Sequence, residues 1–133
     1  MADLIEKTVT SYFHVKDVVK FKEAMEIFEK RVSYEEDAGR LRLSIHTGGW
    51  GAFDAEKNTD VSLLDILQAH LEVGQSCTVM SVSYMSKGDC ILSAAGYAAV
   101  VTNAGMVELS LYDILEKAKD QLGVKANNPD FYS

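Results

Sequence analysis

From Lys7 the chain reads Lys-Thr-Val-Thr-Ser-Tyr-Phe-His-Val to Val15, β-branched and aromatic, with Val9, Phe13 and Val15 on one parity. This predicts a strand. Asp17 stands at a helix N-cap position. After it Val18, Phe21, Met25, Phe28 and Val32 recur at 3, 4, 3, 4 spacing. That is one face of an amphipathic helix over residues 18–34. Lys20, Lys22, Glu23, Glu26, Glu29, Lys30 and Arg31 fall on its outer face, with Glu26 and Lys30 as an i,i+4 pair. Glu35-Glu36-Asp37 and Gly39 would end it as a solvated terminus. Arg40 to Thr47 then alternates strictly, Leu41, Leu43 and Ile45 against Arg40, Arg42, Ser44 and His46. A half-buried strand is expected there.

Gly48-Gly-Trp-Gly-Ala-Phe53 breaks this pattern, and the polar stretch to Asp60 reads as a loop. Val61 to Leu67 opens a second helix, with Ser62 and Asp65 spaced as a capping box and Gly74 at its C′ end. Cys77–Met85 and Cys90–Thr102 are predicted strands joined by the tight turn Ser86-Lys87-Gly88-Asp89. Asn103-Ala104-Gly105 turns again into a short strand, Met106–Leu109. Ser110 would cap a last helix that ends at Gly123, with Lys117 and Lys119 suited to its C-terminal dipole. Val61-Ser-Leu-Leu-Asp-Ile-Leu67 echoes Leu109-Ser-Leu-Tyr-Asp-Ile-Leu115, but the flanks do not align, so shared capping chemistry explains the echo better than duplication.

The order strand-helix-strand-helix-strand-strand-strand-helix is most economically an α+β sandwich with the helices on one face of the sheet. Residues 1–123 are expected to form one domain and 124–133 a flexible tail. The strand from Cys90 has almost no bulk at Ala94, Ala95, Gly96, Ala98 and Ala99. Such a strand suits close packing of a helix, and it equally suits the surface of a homodimer.

Charge changes the picture more than composition does. The 133 residues carry a net charge of −7. Residues 54–116 hold nine carboxylates against Lys57 and Lys87, net −7, whereas 1–53 is −1 and 117–133 is +1. An acidic body repels phosphates, so direct nucleic-acid binding and binding to anionic membranes are disfavoured. No apolar run approaches the roughly 20 residues of a membrane span, and Met1 to Lys7 has no apolar signal core. A cytoplasmic protein is expected. Cys77 and Cys90 lack any CxxC spacing and read as free, mostly buried thiols. Pairing of the strands would set Cys77 near Ala99 and Cys90 near Ser86.

Candidate chemistry is sparse. His14, His46 and His70 lie on three different elements without metal-ligand spacing, so no metal or other cofactor is expected. No cysteine sits at a helix N-terminus where its pKa would fall. No catalytic residue is assigned. The Gly48–Phe53 loop lacks a P-loop or dinucleotide fingerprint, and Asp54, Glu56 and Asp60 beside it oppose a phosphate. Its aromatics could cover the core or serve as a binding hot spot.

Residues 79–115 also carry a pattern of turns and caps: Val79, then Ser-Ala-Ala-Gly-Tyr-Ala-Ala-Val-Val-Thr-Asn-Ala-Gly over 93–105, then Val107-Glu-Leu-Ser-Leu-Tyr-Asp-Ile-Leu115. This resembles small accessory proteins of phages and conjugative plasmids with a YubB-like ferredoxin-like domain, and Trp50 between glycines is similar to a Trp-Gly element of that domain. The resemblance implies a ferredoxin-like antiparallel or mixed sheet of four to five strands with two to three helices on one face. It also implies a mobile-element protein that binds host machinery, and it transfers no catalytic residues.

Together these readings lead to an expected function: an acidic phage or mobile-element protein that engages a basic surface of a host protein, inhibiting a nucleic-acid-handling or defence complex. Trp50, Phe53, Asp54, Glu56 and Asp60 are the expected contact residues, flanked by Glu35, Glu36 and Asp37. The alternatives are a small-molecule or nucleotide-binding protein using the Gly48–Phe53 loop, and an enzyme with an unrecognised site.

Overall fold

The computed structural model describes residues 3–46, 49–127 and 129. Thr47 and Gly48, expected at a strand end and a loop start, lie outside the described residues, as do Met1, Ala2 and most of the tail's end. The described tail residues, 124–127 and 129, are exposed and have no regular secondary structure.

The elements are β1 (Asp3–Thr10), α1 (Val18–Ala24), a 3₁₀ segment (Met25–Arg31), β2 (Val32–Asp37), β3 (Arg40–Ile45), β4 (Gly51–Asp54), β5 (Thr59–Ser62), α2 (Leu63–His70), β6 (Ser76–Lys87), β7 (Cys90–Thr102), β8 (Gly105–Ser110) and α3 (Asp113–Leu122). A six-stranded sheet runs in the order β2-β3-β1-β6-β7-β8, with every neighbouring pair antiparallel, and β4 and β5 form a separate hairpin. The α+β class is therefore as the sequence indicates, with more strands than the four to five expected.

The long helix expected over 18–34 is a shorter helix, a 3₁₀ segment and a strand. Asp17 caps α1 by accepting from the Lys20 N–H. Of the expected stripe Phe21, Met25 and Phe28 are fully buried, whereas Val18, at the helix start, is exposed and Val32 half-buried. The three-residue step from Met25 to Phe28 matches the 3₁₀ repeat, which stacks positions i and i+3. Beyond it Val32 and Tyr34 alternate with Ser33 and Glu35, and the chain pairs with β3, Val32 opposite Ile45 and Asp37 opposite Arg40. Ala38 and Gly39 both take positive φ in the two-residue turn between them, the conformation such hairpins need. Glu35, Glu36 and Asp37 are thus strand residues, not a helix end. Glu26 and Lys30, both within the 3₁₀ segment, are not an α-helical pair.

The first strand is also reparitioned. Thr8 and Thr10 face the core and Val9 is exposed, while Phe13 and Val15 are buried. The face changes at Ser11 and Tyr12, where Ser11 N–H bonds the Thr78 carbonyl. Phe13 then pairs with Leu41 and Val15 with Leu71 as isolated bridges. These tie the chain to β3 and to the end of α2.

The core lies between the sheet and α1, the 3₁₀ segment and α2. Phe13, Phe21, Met25, Phe28, Leu41, Leu43, Ile45, Leu63, Leu64, Leu67, Leu71, Cys77, Val79 and Val101 are its principal members. Phe13 and Phe21 meet edge to face with centroids 5.5 Å apart, a favoured aromatic geometry. Ser62 caps α2 through the Leu64 N–H. Cys77 is buried opposite Val101, with Ala99 opposite Val79; Cys90 is exposed and pairs with Lys87. Both thiols are free. The expectation that both are mostly buried fails for Cys90, because it sits at the mouth of the β6–β7 turn beyond the helices.

The opposite face of the sheet carries no helix from the core layer and divides in two. On β2 and β3 it is polar: Glu35 bonds Arg42, Asp37 bonds Arg40 at 2.7 Å, and both guanidinium groups lie within 4.9 Å of the Tyr12 ring centroid. On β1, β6, β7 and β8 it is apolar, and the register aligns Val9, Met80, Ala98 and Leu109 in one row across four strands. Gly96 lies on this face beneath Leu111; a Cβ built on it would stand 3.0 Å from Leu111 Cγ. The lack of bulk in β7 thus admits Leu111 on one side, while Ala99 packs in the core on the other.

Candidate functional site

The segment expected to be a loop after Trp50 is a hairpin. Gly51 pairs with Ser62 and Asp54 with Thr59, leaving Ala55-Glu56-Lys57-Asn58 as the turn. The Asp54 carboxylate accepts from the backbone N–H groups of Glu56 and Lys57, and Asn58 closes the turn at φ +52°. Asp54 is thereby a turn former, since short polar side chains bond their own backbone in this way. The hairpin leans on the 3₁₀ segment, and Leu63 N–H bonds the Trp50 carbonyl at 2.6 Å, fixing its base.

Between the hairpin and the α1–3₁₀ segment lies an open cleft of about 740 Å³. Its apolar lining is Ile27, Val61, Ile66 and Phe53, the last 58% exposed. Its carboxylates are Glu23 and Glu26 from one wall and Asp54 and Glu56 from the other, against the single cation Lys57. An apolar floor with an exposed aromatic residue and four carboxylates around it can take a cationic side chain. The ring attracts the cation through its quadrupole and the carboxylates form charge-assisted hydrogen bonds.

The eight expected contact residues separate into three places. Phe53, Asp54 and Glu56 line this cleft. Asp60 pairs with Phe53 on β5 and is exposed outside the lining. Trp50 faces another cleft of about 420 Å³ with Gly49, Gly51, Ser81, Ser83, Tyr97, Glu6 and Glu108. It packs against the core, its ring 6.1 Å from that of Tyr97. Trp50 and Phe53 therefore do not form one aromatic anchor, because alternation along the strand sends them apart. The carboxylates of Glu6 and Glu108 oppose an anion beside the Gly49–Gly51 backbone. Glu35, Glu36 and Asp37 lie on the sheet-edge strand β2 and are each ion-paired, Glu36 with Lys22 at 3.2 Å. The hydrogen bond that Arg42 donates to Glu35 holds the guanidinium above its ordinary pKa.

Glu23, Glu26, Ile27, Val61 and Ile66 were not expected in a site. Glu23 and Glu26 are visible in the sequence as outer-face residues of the first helix. Only the hairpin, which brings Phe53 opposite them, turns that face into a cleft wall.

His14 and His70 flank the Val15–Leu71 bridge, and His46 follows β3. His46 Nε2 bonds Ser33 Oγ at 2.8 Å, and the His70 ring packs 5.9 Å from Phe21. Among the described residues no three His, Cys, Asp or Glu side chains gather to hold a metal. No helix among them is long and apolar enough to cross a membrane. No family model, curated protein or solved structure matches this chain.

Proposed function

We propose that this chain is a non-catalytic binding module, an acidic protein of a phage or other mobile element that engages a basic segment of a host protein. The observation that carries the reading is the cleft lined by Glu23, Glu26, Asp54 and Glu56 together with Ile27, Val61, Ile66 and the exposed Phe53. A Lys- or Arg-rich segment would lay an alkyl stem on the apolar floor and its charge among the carboxylates. Such a cleft favours cations and opposes the phosphates of nucleic acid. Occupying a basic surface that otherwise holds nucleic acid would inhibit the host complex.

The fold supports the same reading at its finer level. The run β1-α1-β2-β3-α2-β6 has strand-helix-strand-strand-helix-strand order, and its strands lie as β2-β3-β1-β6, all antiparallel. This order supports reading these elements as a ferredoxin-like unit. In that reading β7 and β8 extend one edge and the β4–β5 hairpin is an insertion ahead of α2, where it supplies the binding wall.

The test is titration of a fluorescent Arg- and Lys-rich peptide, with a Glu-rich peptide as control, at several salt concentrations. Binding should weaken with salt. Glu26→Gln with Glu56→Gln should slow association and flatten the salt dependence, whereas Phe53→Ala should chiefly speed dissociation. Equal binding by all forms, or none at 0.1 mM peptide by the wild type, would remove the cleft from consideration. Capture of host proteins from a lysate, compared between wild type and these variants, would then name the partner.

A further inference from the structure

We infer that a second copy of this chain covers the apolar half of the open sheet face, joining two molecules back to back about a two-fold axis. The face is built by β1, β6, β7 and β8. Met80 and Val82 are 55% and 54% exposed, Val107 and Leu109 are 68% and 51%, and Val100 and Leu111 are similarly open. With Ile5 and Val9, eight apolar side chains stand exposed on this one face, and a contiguous apolar patch beyond roughly 300–600 Å² marks an interaction site. A stable interface needs about 800 Å² from each partner. The helix α3 follows Leu111 with Ile114 and Leu122 exposed. It buries none of its ten residues and packs chiefly on β8. A helix that short is marginal without an apolar face to rest on.

Charge selects the occupant. Among the described residues of these four strands, this face bears only Asp3 and Lys7 as charged groups, and they are of opposite sign. A basic partner gains nothing there. Two copies of an acidic chain would repel through most of their surfaces but not through this one. The row Val9–Met80–Ala98–Leu109 is also suited to itself. Two sheets pack face to face about 10 Å apart with interdigitated side chains, and the groove of about 310 Å³ between Met80, Val82, Ala98, Leu109 and Leu111 accepts a large side chain from the other copy. A self-complementary patch closes as an isologous dimer. The cleft on the helical side stays open.

Sedimentation of the full chain from 1 to 100 µM should show a monomer–dimer equilibrium. Met80→Glu with Leu109→Glu should raise the dimer's dissociation constant at least 100-fold while far-UV circular dichroism stays that of the wild type. In a Cys90→Ser background, Ala98→Cys, in the middle of the row, should cross-link into covalent dimers under mild oxidation and Phe53→Cys should not. That cross-link decides the matter alone if the double variant fails to fold. A wild type that is monomeric at 100 µM overturns the inference, and in that case binding to neutral phosphatidylcholine vesicles would assign the face to lipid. A dimer that survives the two glutamates, or that cross-links through Phe53→Cys instead, overturns it equally.

Discussion

Thr8→Val and Ser81→Ala, made singly and together, test how the two central strands are held. Thr8 on β1 and Ser81 on β6 are directly opposite, both buried, and Thr8 Oγ1 bonds Ser81 Oγ at 2.8 Å. Two hydroxyls on the core face of a sheet are tolerated because each satisfies the other. Replacing Thr8 by isosteric Val keeps the β-branched shape and strands the Ser81 hydroxyl. Loss of a hydrogen bond costs about 0.5–1.5 kcal/mol net, and leaving a buried polar group unpaired costs about 1–3 kcal/mol. Thr8→Val should therefore destabilise by about 2 kcal/mol. Ser81→Ala, which orphans the Thr8 donor, should cost a similar amount. The double variant leaves no orphan, so it should lie within about 1 kcal/mol of wild type and more stable than either single.

The assay is urea unfolding at one fixed protein concentration, since self-association would add to apparent stability. Unchanged m values would show that the singles alter stability and not the denatured state. The coupling energy of the cycle should reach about 3 kcal/mol or more, well outside the few tenths expected of independent sites. Additive losses, with the double variant the least stable, would refute the reasoning and show that the two hydroxyls act through separate partners.

Phe28→Ala should cost about 3–5 kcal/mol in the same assay, as for other buried aromatic truncations; a loss under 1 kcal/mol would mean the 3₁₀ segment does not seal the core. A thiol reagent at pH 8 should label Cys90 alone in the native protein and both cysteines in urea, and Cys90→Ser should leave peptide binding unchanged. Burial pushes the Cys77 thiol up to about 11, so the folded state keeps a proton that the unfolded state releases near pH 9. The resulting stability is fully present below pH 9 and should fall by about 2–3 kcal/mol as pH rises to 11, a decline that Cys77→Ala should lessen. Asp17→Ala and Ser62→Ala should each cost about 1 kcal/mol, the usual value of an N-cap, read as a lower urea midpoint.

Much of this fold is legible in the pattern of side chains because one face of each element is buried. Leu41, Leu43 and Ile45 are all core residues, as their alternation requires. The turns at Gly88 and Asn103 set β6, β7 and β8 in the expected order. The failures have one cause, namely that local periodicity is silent about where a neighbour will pair. Val32 completes a helical stripe as well as it completes a strand, and pairing with Ile45 decides between them. Gly51 to Ser62 has too few apolar residues to read as strands, yet each half of the hairpin needs only the other, with Asp54 holding the turn. The site was legible residue by residue on one wall only. The acidic outer face of α1 acquires its meaning from Phe53, thirty residues on, and no local pattern joins them.

Separating the two surfaces has a consequence for binding. The acidic cleft lies on the helical side and the neutral apolar patch on the other, so charge that would draw a basic partner would not oppose self-association through the back face. A back-to-back dimer would hold two clefts pointing outward, each able to take a basic segment. Against a partner with two such segments, the second contact becomes intramolecular and avidity can exceed a single cleft's affinity by 10²–10⁴. A partner with one segment would gain nothing. The back-face variant Met80→Glu with Leu109→Glu therefore distinguishes the cases. It should leave affinity for a single basic peptide unchanged and lower affinity for two peptides joined by a long flexible linker. Equal loss for both ligands would mean that the back face supports the cleft directly, and no loss for either would mean that the two clefts act alone.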